Sequence, residues 1–186
     1  MPLVSGGYPV KSDDFALAGG VVVRYNLSRR VATSDAAALT TQVMTSVAVN
    51  LQAGDIVTSL AFRSGATAAG TPTNWWFALY SPAGVLLAQT ADQTTTAWAA
   101  DTVKDVALAT AQTVAVSGLY YAAVMVKATT VPTLVGLTLG RAGVSTGFLS
   151  TDKVLSQTSG AALTTTAPGT IATPTAIAAC PLVAAH

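Results

Sequence analysis

Residues 43–63 read VMTSVAVNLQAGDIVTSLAFR, and their spacing decides the fold class. Val43, Thr45, Val47, Val49 and Leu51 alternate with Met44, Ser46, Ala48 and Asn50. Side chains two apart share one face of a strand, so this period specifies a strand with one face against a core. Gln52-Ala53-Gly54-Asp55 supplies a turn, because Gly accepts positive φ and Asp bonds nearby backbone N–H groups. The alternation then resumes. Ile56, Thr58, Leu60 and Phe62 are expected on one face, and Val57, Ser59, Ala61 and Arg63 on the other. A helix anywhere in this stretch would contradict the pattern.

Working outward, residues 75–80 read as the next strand, and Ser81-Pro82-Ala83-Gly84 fits a type I turn, with Pro presetting φ at the second position. Residues 85–89 are then its antiparallel partner. A weaker strand is expected over 103–108 and another over 113–116. Ser117-Gly118 turns the chain into 119–127, which is apolar or aromatic on both faces and therefore central or under an interface. Residues 133–139 form a further strand, and on the other side so do 21–25. Residues 33–42, rich in Ala and Thr with Ser34 as a candidate cap, predict one helical turn. After Gly140 the pattern weakens to loop and short strand. The organisation expected is all-β: an N-terminal arm over 1–18, a single β-sandwich of jelly-roll type over 19–163, and an extended C-terminal arm over 164–186. That last segment carries Pro168, Pro174 and Pro181, but Ile171, Ile177, Leu182 and Val183 make it an extended arm or edge strand, not a charged disordered tail.

Composition narrows the function. Of 186 residues, 51% are hydrophobic and 9% are charged, against roughly 25% charged in an ordinary soluble domain. Such an exterior suits a protein covered by partners. The net charge of +1 provides no field to draw nucleic acid or an anionic membrane, so neither is an expected partner. All 8 acidic residues are Asp. Cys180 is the lone cysteine, read as a small buried hydrophobe. Residues 1–7 lack a basic, then apolar, leader. The most apolar stretch, 120–126, is far short of the ~20 residues of a membrane helix. The expectation is a protein made in a cytoplasm that stays soluble or assembled.

Catalytic groups are scarce. His186 is the only histidine, so a Ser-His-Asp triad would depend on the last residue. Cys180 has no histidine nearby in sequence to activate it. Asp92, Asp101 and Asp105 read as turn and surface aspartates. No Cys/His cluster, calcium loop or phosphate loop is present. The expectation is no enzyme, no metal and no cofactor. Arg24, Arg29 and Arg30, with Tyr25 among them, form the one basic cluster and are read as a contact for an acidic protein partner. Leu3, Val4, Ile171 and Ile177 are the apolar candidates for the same interface. Trp75, Trp76 and Trp98 are candidates for an exposed aromatic surface that could stack a sugar. Trp75 and Trp76 must point to opposite faces, so one is expected in the core and the other exposed or covered.

Leu51-Gln52-Ala53-Gly54-Asp55 before a strand, Trp76-Phe77-Ala78-Leu79-Tyr80-Ser81-Pro82-Ala83-Gly84, and Ser117-Gly118-Leu119-Tyr120-Tyr121 together carry a resemblance. Over residues 51–137 the chain resembles small jelly-roll-like β-sandwich virion proteins of tailed bacteriophages, especially those of actinobacterial hosts. The resemblance implies a virion location and a capsid decoration or minor capsid protein. Such a protein would form a homo-oligomer, a trimer at a three-fold position, on the major capsid protein or another virion protein. The alternative it implies is a minor tail or receptor-binding protein recognising a host glycan. It carries no catalytic residue across.

Overall fold

The computed structural model describes residues 15–18, 21–36, 38–139 and 149–186. Leu3, Val4 and the rest of residues 1–14, expected as an arm, and residues 140–148 lie outside them. The described residues contain no helix. Their strands are β1 (Phe15–Ala18), β2 (Val21–Tyr25), β3 (Ser34–Asp35), β4 (Met44–Leu51), β5 (Ile56–Arg63), β6 (Asn74–Tyr80) and β7 (Leu86–Gln89). There follow β8 (Val103–Thr113), β9 (Gly118–Lys127), β10 (Val135–Thr138), β11 (Ser156–Ser159), β12 (Thr175–Ala176), β13 (Ala179–Pro181) and β14 (Val183–Ala185). A 5-stranded sheet, β1-β2-β14-β5-β8, faces a 6-stranded sheet, β12-β11-β4-β9-β6-β7. A 3-stranded sheet, β13-β10-β3, completes this β-sandwich, and all the pairings are antiparallel.

The core between the large sheets follows from strand alternation. The 6-stranded sheet contributes Val47, Val49 and Leu51 from β4, Trp75, Phe77 and Leu79 from β6, and Tyr120, Ala122, Val124 and Val126 from β9. The 5-stranded sheet contributes Val57, Leu60, Phe62, Val183 and Ala185. Trp98, from the loop before β8, enters between them, with ring centroids 5.1 Å from Trp75 and 5.6 Å from Phe77. Each buried indole keeps a hydrogen bond: Trp75 Nε1 donates to Thr96 O and Trp98 Nε1 to Thr102 O.

The alternate residues of the same three strands form a second core on the far side of the 6-stranded sheet. Met44, Ala48, Trp76, Ala78, Tyr80, Tyr121, Ala123 and Met125 gather there, covered by Leu155, Leu163, Ala167 and Ile171. The cover is an irregular strap, residues 163–171, whose backbone groups find side-chain partners in the sheet. Trp76 Nε1 donates to Thr164 O, Gln89 Nε2 to Thr165 O and Tyr80 OH to Pro168 O, while Gln89 Oε1 accepts from Ala167 N. Irregular backbone over a core is tolerable only when satisfied in this way, since each buried unpaired group costs about 1–3 kcal/mol. The central strands are thus buried on both faces by their own chain.

Several expectations change. Ser34 starts no helical turn: Ser34–Asp35 is a strand opposite Val135 and Gly136, held by Asp35, whose carboxylate accepts from Ala66 N and Thr133 Oγ1. β4 is buried on both faces, not one. The strict alternation of β5 breaks where its register with β8 shifts between Val57 and Ser59. Thr58 N and Ser59 N both donate to His186 O, which makes a bulge. The bulge puts Val57 with Leu60 and Phe62 in the core and turns Ile56 outward, 57% exposed. The strand expected over 103–108 runs on to Thr113 as β8, and residues 114–116, expected in a separate strand, lie in the turn into β9. The C-terminal segment is no detachable arm: β14 lies between β2 and β5, with Val183 and Ala185 buried. The Ser81–Gly84 turn is as expected, closed by Gly84 N donating to Ser81 O, with β6 antiparallel to β7.

Candidate functional site

The outer face of the 5-stranded sheet holds a groove of about 440 Å³. Its floor follows from register: Tyr25, Ala184, Ala61 and Asp105 lie side by side across β2, β14, β5 and β8. Two alanines between a tyrosine and an aspartate leave a trough where larger side chains would fill the surface. Val23, Leu182 and Val103 extend the apolar lining, and Arg29, Arg63 and His186 stand at its rim. Arg29 lies over the Tyr25 ring, 5.2 Å from its centroid, a cation–π contact that orients the guanidinium.

One side of the groove unites the side chains that a hydrolytic triad would use. His186 Nε2 lies 3.0 Å from Asp105 Oδ2 and 3.2 Å from Ser59 Oγ. In a working triad the imidazole donates from one nitrogen to the carboxylate and takes the serine proton on the other. Here both partners meet Nε2. One ring nitrogen cannot at once donate to the carboxylate and accept the proton of the hydroxyl. The arrangement ties the end of the chain to β5 and β8; it does not generate a nucleophile.

The other predicted residues fall elsewhere. Trp75, Trp76 and Trp98 are each 0% exposed, so no aromatic surface is formed by them. Both neighbours on β6 are interior because the strap covers the second face. Arg24 turns from the groove and makes a bidentate pair with Asp55, with Nε to Oδ2 and Nη2 to Oδ1 both 2.8 Å. Asp55 also accepts from Gln52 N, as expected of a turn aspartate. Burial alone would raise the Asp55 carboxyl, but the Arg24 hydrogen bond, the Gln52 N–H and the Arg24 charge hold it below the usual carboxylate value. Arg30 is exposed. Ile171 belongs to the strap and packs against the second core. Ile177 lines a smaller cavity of about 260 Å³ beside Leu39 and Thr158. Cys180 is buried and its thiol is pushed up to about 11 by desolvation. Asp92 accepts from Trp75 N and Asn74 Nδ2 and organises the loop that follows β7.

The comparisons supply no relative. No family model matches the chain, and neither a curated protein nor a solved structure does. Among the described residues, no three His, Cys, Asp or Glu side chains come together as metal ligands. Sequence reasoning missed Ser59, Arg63, Asp105 and His186 as a group. The only signal was the pair of small residues, Ala61 and Ala184, at outward strand positions, and it becomes readable only once β14 is known to lie beside β5.

Proposed function

We propose that this chain is a structural subunit of a tailed-bacteriophage virion, a decoration or minor capsid protein that binds the head lattice through one end of its sandwich. The observation that carries the reading is the apolar character of that end. The turns at 52–55, 81–84 and 114–117 meet there: Ala53 N donates to Ser117 Oγ, Gly54 N to Val114 O, and Pro82 packs beside Gly118. Around them Ile56, Val85 and Val116 are 57%, 47% and 70% exposed. Clustered apolar exposure marks an interaction surface, and a chain only 9% charged has few charged groups to solvate it. The resemblance to small virion sandwiches supplies the setting and the three-fold position from which a trimer is proposed; closed symmetry by itself would favour a dimer. The test is gold-labelled antibody against this chain on particles from cells that produce it. Dense label over heads is expected. Label confined to tail tips, or absent from particles, overturns the assignment.

A further inference from the structure

We propose that the groove on the outer face of the 5-stranded sheet binds a small organic acid, a monocarboxylate on an apolar body, held by Arg29 and Arg63. The inference goes beyond the virion reading and does not rest on it. The groove's volume of about 440 Å³ falls in the usual range of small-molecule pockets, roughly 300–1,000 Å³. Such pockets are mostly apolar, with a few polar groups that fix orientation. Here Ala61 and Ala184 form the floor, and Val23, Leu182 and Val103 extend it. An apolar body gains burial on that floor, whereas a polyol or a hydrated ion would lose hydrogen bonds to water without replacement.

Register places the charges. β2 and β5 are each antiparallel to β14, so they run the same way, about two strand spacings or ~10 Å apart. Arg29 follows Tyr25 in the chain and Arg63 follows Ala61, so both enter the groove from the same side of the Tyr25–Ala184–Ala61 row. His186 lies on the opposite side of that row, against Ser59. Among the described residues neither guanidinium has a carboxylate partner. Arg29 is oriented by the Tyr25 ring, and Asp105 is engaged by His186. Counting the imidazole as neutral, Arg29, Arg63 and Asp105 leave one net positive charge. That balance favours a single negative charge over a phosphate dianion. Two planar guanidinium forks match the two oxygens of a carboxylate. A carboxylate between them lays its apolar body across the alanines.

Nuclear magnetic resonance titration of the isotope-labelled, full-length protein tests this with three probes: naphthylacetate, its uncharged amide naphthylacetamide, and acetate. Naphthylacetate is expected to move the backbone amide resonances of Ala61, Val103 and Ala184 saturably. The amide has the same body without the charge and is expected to bind about tenfold more weakly, or 1.4 kcal/mol. Acetate has the charge without the body and is expected to leave those resonances unmoved. In the double variant Arg29→Gln, Arg63→Gln, the affinity for naphthylacetate should fall to that for the amide, while the affinity for the amide stays unchanged. Both arginines are exposed and outside the two cores. Thermal melts check that the variant folds, and the comparison of probes needs no variant. The proposal is overturned by no saturable shift in the groove, by acid and amide binding alike, or by acetate binding as tightly as naphthylacetate. A double variant that binds the acid as wild type does overturns it too.

Discussion

Asp55 binds two partners on one carboxylate: it closes its own turn through Gln52 N and holds Arg24 of β2 from the start of β5. The two side chains are 15% and 12% exposed, so water competes weakly for the pair. Removing one partner would leave the other charge partly desolvated, at a cost of about 2 kcal/mol, below that of a fully buried pair. Because the folded carboxyl lies below its unfolded value, its stabilisation is complete above the unfolded pKa of about 3.9 and is lost as pH falls through the folded value. Asp55→Asn is therefore expected to be less stable than wild type by about 2 kcal/mol at neutral pH, with the difference shrinking in acid. Urea unfolding across the acid range reads this directly, and a difference constant with pH would contradict it. Asp35 is depressed in the same direction by Thr133 and Ala66, so the wild type alone cannot separate the two.

At the scale of elements, β14 decides whether the C-terminal segment is an arm or part of the sheet. It pairs on one side with β2 and on the other with β5, and His186 O accepts from Thr58 N, Ser59 N and Thr58 Oγ1. Deleting residues 182–186 would expose facing edges of β2 and β5 and remove Val183 and Ala185 from the core. Burial of a valine side chain alone contributes about 1.5–3 kcal/mol, and whole domains are stable by only about 5–15 kcal/mol. The expected outcome is a protein without a cooperative thermal transition; a melting point lowered by only a few degrees would restore the arm reading. The sequence makes β4, β6 and β9 legible because β4 alternates residue by residue, while β6 and β9 are apolar, aromatic-rich runs beside turn residues. It hides β12, β13 and β14 because they are two or three residues long and broken by proline, and their pairings join residues far apart. The bulge in β5 is hidden for the same reason: the carbonyl that fixes it lies 128 residues away. The groove is one step more remote, since it exists only where four strands take one register.

At the scale of the whole molecule, the two cores lie within one chain, and what remains for partners is the surface. The tryptophans that the sequence offered to partners are interior, and three exposed apolar residues, Ile56, Val85 and Val116, gather at the end built by the three turns, while Val103 lies at the other end of β8. Ile56 and Val116 are more than half exposed and belong to neither core, so replacing them should cost the fold no more than about 0.5 kcal/mol. An interface has the opposite dependence. A stable one covers about 800 Å² per partner, and its energy concentrates in a few central apolar side chains. A charge at each of two such positions would be buried without a counter-charge, and association would weaken far more than folding. Under the proposed function this end meets the head lattice, so the double variant Ile56→Asp, Val116→Asp is expected to melt close to the wild-type temperature and to bind heads lacking this chain far more weakly than the wild type does. Thermal melts and co-sedimentation with purified heads measure the two. A double variant that binds heads as well as wild type would remove this end of the sandwich as the attachment surface.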